Sequence, residues 1–181
     1  MTDSKQKKQA RAKGRDNLST LAIHAGEEPD PTTGALTPAL HMSAAFRLPG
    51  FGASLFDALT MESQQPPFAY ARWGNPTARA LEAKVAALDG GEAALALATG
   101  MAAVSALAFT FLKSGDHVIA SEVCYAGSVE LFGLHLPRLG IQVSLVDTSD
   151  LAQVRQALQP HTRLVYVETP ANPVLRISDI Q

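Results

Sequence analysis

The sequence predicts an α/β fold built around a mostly parallel sheet. Three observations carry that expectation. From Ala93 to Val167 short apolar runs alternate with segments of helical spacing, the pattern of parallel strands joined by crossover helices. The junctions carry helix start and stop signals, among them Asn75-Pro76, Gly90-Gly91 and Ser114-Gly115. The composition, 46% hydrophobic and 18% charged over 181 residues, suits a globular chain with one sizeable core.

Residues 1–17 read as a basic, disordered tail. Residues 18–65 form an irregular arm punctuated by Pro29, Pro31, Gly34, Pro38, Pro49, Gly50 and Gly52; a long irregular arm usually carries function or contacts a partner subunit. A short helix is expected within it at Ser54–Glu62. Regular structure begins at Asn75, an N-cap followed by Pro at the first helical position, and Leu81, Val85 and Leu88 fall on one face of the helix that follows. Ala93–Ala98 reads as a strand and Met101–Leu112 as a helix. His117–Ala120, Gln142–Val146 and Arg163–Val167 read as strands, with helices at Ser128–Leu139 (Pro137 fraying its end) and Leu151–Leu158. Arg176–Gln181 looks like a helix start, with Ser178 or Asp179 as N-cap. Such a sheet of about four strands would leave an unpaired edge, so the chain is expected to be the first part of a larger domain, with residues 66–181 inside it.

Several function classes find little support. No apolar run reaches the ~20 residues of a membrane span, and the polar first residues lack a signal-peptide core. One cysteine, Cys124, excludes an internal disulfide framework and suits a reducing cytoplasm. The five histidines have no metal-ligand spacing. Of the fifteen Lys and Arg, six lie in residues 1–15 beside one acid, Asp3, leaving nine bases and sixteen acids elsewhere. A basic arm on an acidic body suggests nucleic acid, but this one has no aromatic residue to stack on bases, and a solvated tail is the expectation. Glycine patterns for dinucleotides and nucleoside triphosphates are absent.

Four short stretches carry candidate chemistry. Thr99-Gly100-Met101 joins a strand to a helix, where free backbone N–H groups and the helix dipole favour phosphate. Tyr70-Ala71-Arg72 offers a hydroxyl and a bidentate guanidinium, although a loop arginine paired with an acid is the ordinary alternative. Tyr125 follows a strand, at the edge of an α/β sheet where ligands bind; an aromatic shielding the sheet edge would look the same. Asn172, in Glu168-Thr169-Pro170-Ala171-Asn172-Pro173, also follows a strand, and Asn-Pro is a common turn.

Taken in order, Tyr70-x-Arg72-x-x-Asn75-Pro76-Thr77, Thr99-Gly100-Met101-Ala102-Ala103, Tyr125-x-Gly127 and Glu168-Thr169-Pro170-x-Asn172-Pro173 resemble the Cys/Met-metabolism pyridoxal-phosphate (PLP) enzymes: cystathionine γ-synthase, cystathionine γ-lyase, methionine γ-lyase and O-acylhomoserine sulfhydrylase. Thr20–Gly26, with Pro29-Asp30-Pro31 and Thr33-Gly34-Ala35, is similar to their N-terminal arm, so the likeness spans about residues 18–181. It implies the aspartate-aminotransferase-like fold type I, with helices on both faces of the sheet and the arm against a partner subunit. It also implies a cytoplasmic homodimer or homotetramer, and γ-elimination or γ-replacement on cystathionine, homocysteine, methionine or an O-acylhomoserine.

By that resemblance, Gly100 and Met101 give N–H groups to the PLP phosphate, and Tyr70 and Arg72 reach the phosphate of the neighbouring subunit. Tyr125 stacks on the pyridine ring and serves in proton transfer. Asn172 meets the ring's 3′ oxygen, Glu168 supports the pocket, and His24 is structural. The chemistry also needs a lysine to hold the cofactor. Lys5, Lys7, Lys8 and Lys13 lie in the tail, Lys84 on a polar helix face, and Lys113 at a helix end, so none fits. In the family that lysine lies beyond the point corresponding to Gln181, as do the aspartate facing the pyridine and the arginine for the substrate carboxylate. This stretch alone is therefore expected not to turn over substrate, and the alternative reading is a non-catalytic remnant or oligomerisation module. Gly127, where methionine γ-lyases resemble one another in having cysteine, and Glu130, in place of an arginine common in the synthases and cystathionine lyases, leave a generic γ-elimination or replacement enzyme.

Overall fold

The computed structural model describes residues 17–47 and 68–180. The tail before Asn17, the expected Ser54–Glu62 helix and the expected boundary at residue 65 lie outside the described residues. These residues form two compact units, one up to Ala96 and one from Leu97.

In the first unit, helix α1 (Leu18–His24) is capped by Asn17, whose side chain accepts from Ser19 N at 3.2 Å. Helix α2 (Pro76–Asp89) starts as the sequence predicts. Asn75 Oδ1 accepts from Thr77 N at 2.8 Å, Pro76 occupies the first turn, and Gly90 closes the helix in the left-handed conformation at φ 68°. The same cap anchors the arm: Asn75 Nδ2 donates to His41 O, and His41 N donates to Thr77 Oγ1, both at 2.9 Å.

The face of α2 that packs differs from the expected one. Leu81 and Val85 are exposed, whereas Ala86 is buried. The arm instead lies on the small residues. A Cβ on Gly26 would stand 2.7 Å from Ala80 O and 2.9 Å from the Ala83 Cβ, an approach only glycine beside alanines permits. Lys84 lies on this side too, where its ammonium donates to the Glu27 carboxylate and to Ile23 O.

In the second unit, three parallel strands are ordered β2–β1–β3: β1 (His117–Ser121), β2 (Gln142–Val146) and β3 (Thr162–Tyr166). All five residues of the central β1 are buried, as expected of a parallel strand covered on both faces. Val118 and Ala120 pack against Ala108 of α3 (Gly100–Phe111) and Leu112 just after it. They also meet Leu131, Phe132 and Leu136, which lie between β1 and β2. Helix α5 (Leu151–Ala157), capped by Asp150, joins β2 to β3.

Helix α4 runs from Ala126–Glu130 through a π-helical turn, Leu131–His135, to Leu136–Arg138. Pro137 was expected to fray the end of this helix. The wide turn comes immediately before it: a proline ring crowds the carbonyl four residues earlier, here that of Gly133, and widening the turn relieves the clash. Ala93–Ala98 forms no ladder with any described strand; its hydrogen bond, from Ala96 N, goes to Glu82 Oε1. A strand exists only where a neighbour meets its N–H and C=O groups, so apolar content alone does not make one. Ser178 caps no helix among the described residues. It is buried, pairing its hydroxyl with that of Thr148 at 2.8 Å and donating its N–H to Thr169 Oγ1.

At the amino end of the sheet, His117 is fully buried. Its Nδ1 pairs with Thr162 Oγ1 at 2.8 Å and its Nε2 with Ser144 Oγ at 3.0 Å, so the ring links all three strands. Burial, with help from the nearby His161, lowers its pKa below the ordinary value. The unfolded chain therefore takes up the proton more readily, and the stability this histidine contributes is present above the ordinary histidine range and lost as pH falls through the lowered value. Urea unfolding should show a loss of stability on acidification that shrinks in His117→Gln; an unchanged acid slope would contradict this. Phe132→Ala, which empties a fully buried site against Tyr166, should lower unfolding stability by about 3–5 kcal/mol, read as a shifted urea midpoint.

Candidate cofactor site

The site lies in the second unit, at the carboxyl end of the parallel sheet, and is built from the start of α3 and the segments after β1 and β3. Thr99 forms the N-cap of α3, its Oγ1 accepting from Ala102 N at 3.0 Å. Its carbonyl accepts the N–H of Ala103 at 3.2 Å. The amides of Gly100 and Met101 precede the first intrahelical bond and remain available as donors. Nothing lies within 4 Å of where a Gly100 Cβ would stand, so an anion can reach the backbone.

A cavity of about 570 Å³ opens above this turn, lined by Gly100, Met101, Tyr125, Ser128, Tyr166 and Glu168 beside Thr99 and Val104. None of these is a lysine. The Tyr125 ring is 52% exposed, free to offer a face to a planar ligand. Its seat is made by Gly127: a Cβ there would lie 2.8 Å from Tyr125 Cε1 and 3.1 Å from Met101 Sδ.

Glu168 ties the loops together. Its Oε2 accepts from Tyr125 N at 2.9 Å, and its Oε1 accepts from Asn172 N at 3.1 Å. One carboxylate thus sets the exit of β1 against the exit of β3. Its charge also reaches Cys124, whose buried thiol is pushed up in pKa first by desolvation and then by Glu168, which keeps that sulfur protonated and unreactive. Burial likewise raises the Tyr166 phenol, partly offset by its hydrogen bond with Ser128.

Of the residues singled out in the sequence, Gly100, Met101, Tyr125 and Glu168 meet around this cavity. Asn172 does not line it, although its backbone is fixed by Glu168. Tyr70 and Arg72 belong to the first unit. There the Arg72 guanidinium lies 4.7 Å over the Tyr70 ring, and backbone bonds from Phe46 N to Ala69 O (3.0 Å) and from Ala71 N to Ala44 O (2.8 Å) fix the pair. The Arg72 head is exposed and available to an anion. Ser128 and Tyr166 were not foreseen. The strand period of two, which puts Tyr166 and Glu168 on one face, was the available signal.

The cavity fits a phosphorylated aromatic cofactor. It joins an open anion cradle at a helix start to an exposed aromatic face, with polar groups at its wall. Within the described residues, no helix is long and apolar enough to cross a membrane.

Comparison with known proteins agrees with this geometry. Residues 19–181 match the model of a family described as Cys/Met metabolism PLP-dependent enzyme. A canavanine γ-lyase of Pseudomonas canavaninivorans is 44% identical over 166 residues, 91% of this chain and 40% of that protein. An L-methionine γ-lyase of Fusobacterium nucleatum subsp. nucleatum is 38% identical over 167 residues, 92% of this chain and 41% of that protein. The crystal structure of metB from Corynebacterium glutamicum superposes with a TM-score of 0.79 at 35% identity, covering 91% of this chain and 40% of that one. The chain thus spans about two fifths of the length of these relatives. An α/β unit with a parallel sheet and a match over nearly the whole sequence lead to one conclusion: the chain belongs to the Cys/Met-metabolism family of PLP-dependent enzymes.

Proposed function

We propose that this chain supplies the phosphate cradle and the ring-stacking wall of a PLP-dependent enzyme acting at Cγ of sulfur amino acids. The observation that carries the reading is the open Gly100-Met101 turn facing the exposed Tyr125 ring across one cavity. Relatives of similar identity are named γ-lyases and cystathionine γ-synthase, so the reading spans γ-elimination and γ-replacement. The candidate substrates are methionine, homocysteine, cystathionine or an O-acylhomoserine, in a cytoplasmic enzyme.

In this reading the Gly100 and Met101 amides donate to the cofactor phosphate, reinforced by the α3 dipole. Tyr125 stacks on the pyridine ring and its hydroxyl takes and returns a proton at the substrate. Glu168 keeps Tyr125 in position through the main chain, and Asn172 donates to the ring's 3′ oxygen. Tyr70 and Arg72 reach the phosphate of a neighbouring subunit, Arg72 by charge-assisted bonds, so that the working unit is a homodimer, itself paired into a homotetramer. When bound, PLP supplies an electron sink that stabilises negative charge on carbon beside the substrate's amino group. The lysine that holds it comes from protein outside these 181 residues.

Two variants of the full-length protein test this reading. Tyr125→Phe should lower kcat by about a hundredfold or more while PLP retention, followed by dialysis and absorbance, changes far less. Equal turnover in the two proteins would remove the proton-transfer role. Arg72→Ala should weaken PLP binding by about tenfold or more, since a phosphate loses a charged partner. Unchanged cofactor affinity would move Arg72 out of the site.

A further inference from the structure

Ser128 is 1% exposed, yet its hydroxyl is not spent on its own helix. It lies 3.1 Å from the Tyr166 hydroxyl and 3.8 Å from Met101 Sδ. It therefore joins three pieces of the cofactor site: α4, which begins just after Tyr125; the end of β3, which leads to Glu168; and the first turn of α3, which carries the Met101 amide.

The hydrogen count gives this contact a direction. A serine has one donor and can accept twice. If Tyr166 donates to Ser128 Oγ, the serine O–H is left for the Met101 sulfur. Burial holds the phenol protonated, consistent with that role as donor. The Met101 thioether and the Tyr125 ring in turn share the bare face of Gly127. The sulfur and the ring are thus neighbours over one glycine, and the position of the first limits the room left for the second.

We propose that the Ser128–Tyr166 hydroxyl pair is a positioning device for this active site, holding Met101 and through it the Tyr125 ring in register with the phosphate cradle. The proposal rests on the PLP reading given above. Neither hydroxyl is asked to move a proton. Their task is to keep a ring and an amide within the narrow tolerance that catalysis needs, where a displacement of about 1 Å can cost a hundredfold in rate.

The test uses the full-length protein loaded with PLP. Ser128→Ala and Tyr166→Phe should each lower kcat by about tenfold to a hundredfold, with KM and PLP content within about threefold of the parent. Each should also alter the visible circular dichroism of the bound cofactor, which reports how its ring sits against an aromatic neighbour. The double variant should be no slower than the slower single one, because both changes break one bond. Ser128→Thr, which keeps the hydroxyl, should restore most of the rate. If Ser128→Ala does not fold, Tyr166→Phe carries the test, since it keeps the ring packed on Phe132 at 4.8 Å.

Unchanged kcat and dichroism in variants that load PLP normally would overturn the proposal. So would strictly additive losses, or a loss of rate matched by loss of PLP that Ser128→Thr does not rescue. Failure of the parent protein to take up PLP at all is a separate result, which would remove the underlying cofactor reading.

Discussion

The candidate site depends on one carboxylate. Glu168 accepts from the main chain of Tyr125 with one oxygen and from that of Asn172 with the other, so a single side chain sets the relation between two loops that leave different strands. It can do so because β1 is paired in parallel with both neighbours, bringing the ends of β1 and β3 to the same edge. A hydrogen bond to a charged acceptor contributes roughly twice what a neutral one does, which suits a bond that must fix loop geometry. The cradle at Gly100-Met101 and the ring of Tyr125 are useful only if their separation is held, and Glu168 fixes the main chain from which that ring projects.

A second principle is the use of missing side chains to permit approach. Gly26 lets the arm lie on Ala80 and Ala83 of α2, and Gly127 lets the Tyr125 ring and the Met101 sulfur share one surface. Gly100 leaves space in front of two donor amides. In each case the absent Cβ decides what can come close, and in the second unit the groups that approach line the candidate cavity.

Much of this was legible in the sequence, for reasons that differ by element. Asn75-Pro76 is a local signal whose cap forms as read, and the turn at Thr99-Gly100 starts its helix at Gly100, one residue before the expected Met101. The expected bounds of β2 match residue for residue, β1 runs one residue further, and β3 begins and ends one residue earlier, because parallel strands here are short apolar runs between clear turns. Ala93–Ala98 was misread because strand formation depends on a neighbour, which composition does not reveal. The apolar stripe of Leu81, Val85 and Leu88 predicts one packing face of α2, whereas the arm lies on Ala80 and Ala83. Gly100, Met101, Tyr125 and Glu168, singled out by ordered motifs, meet at one cavity. Ser128 and Tyr166 were missed because a serine in a helix's first turn and a tyrosine in a strand look ordinary until the fold joins their hydroxyls.

The most direct measurement of the central claim is a backbone amide spectrum of this chain titrated with pyridoxal phosphate. The Gly100 and Met101 amides should move most as the phosphate engages them, and pyridoxal lacking the phosphate should leave them in place. Shifts confined to other residues, or identical responses to both compounds, would contradict it.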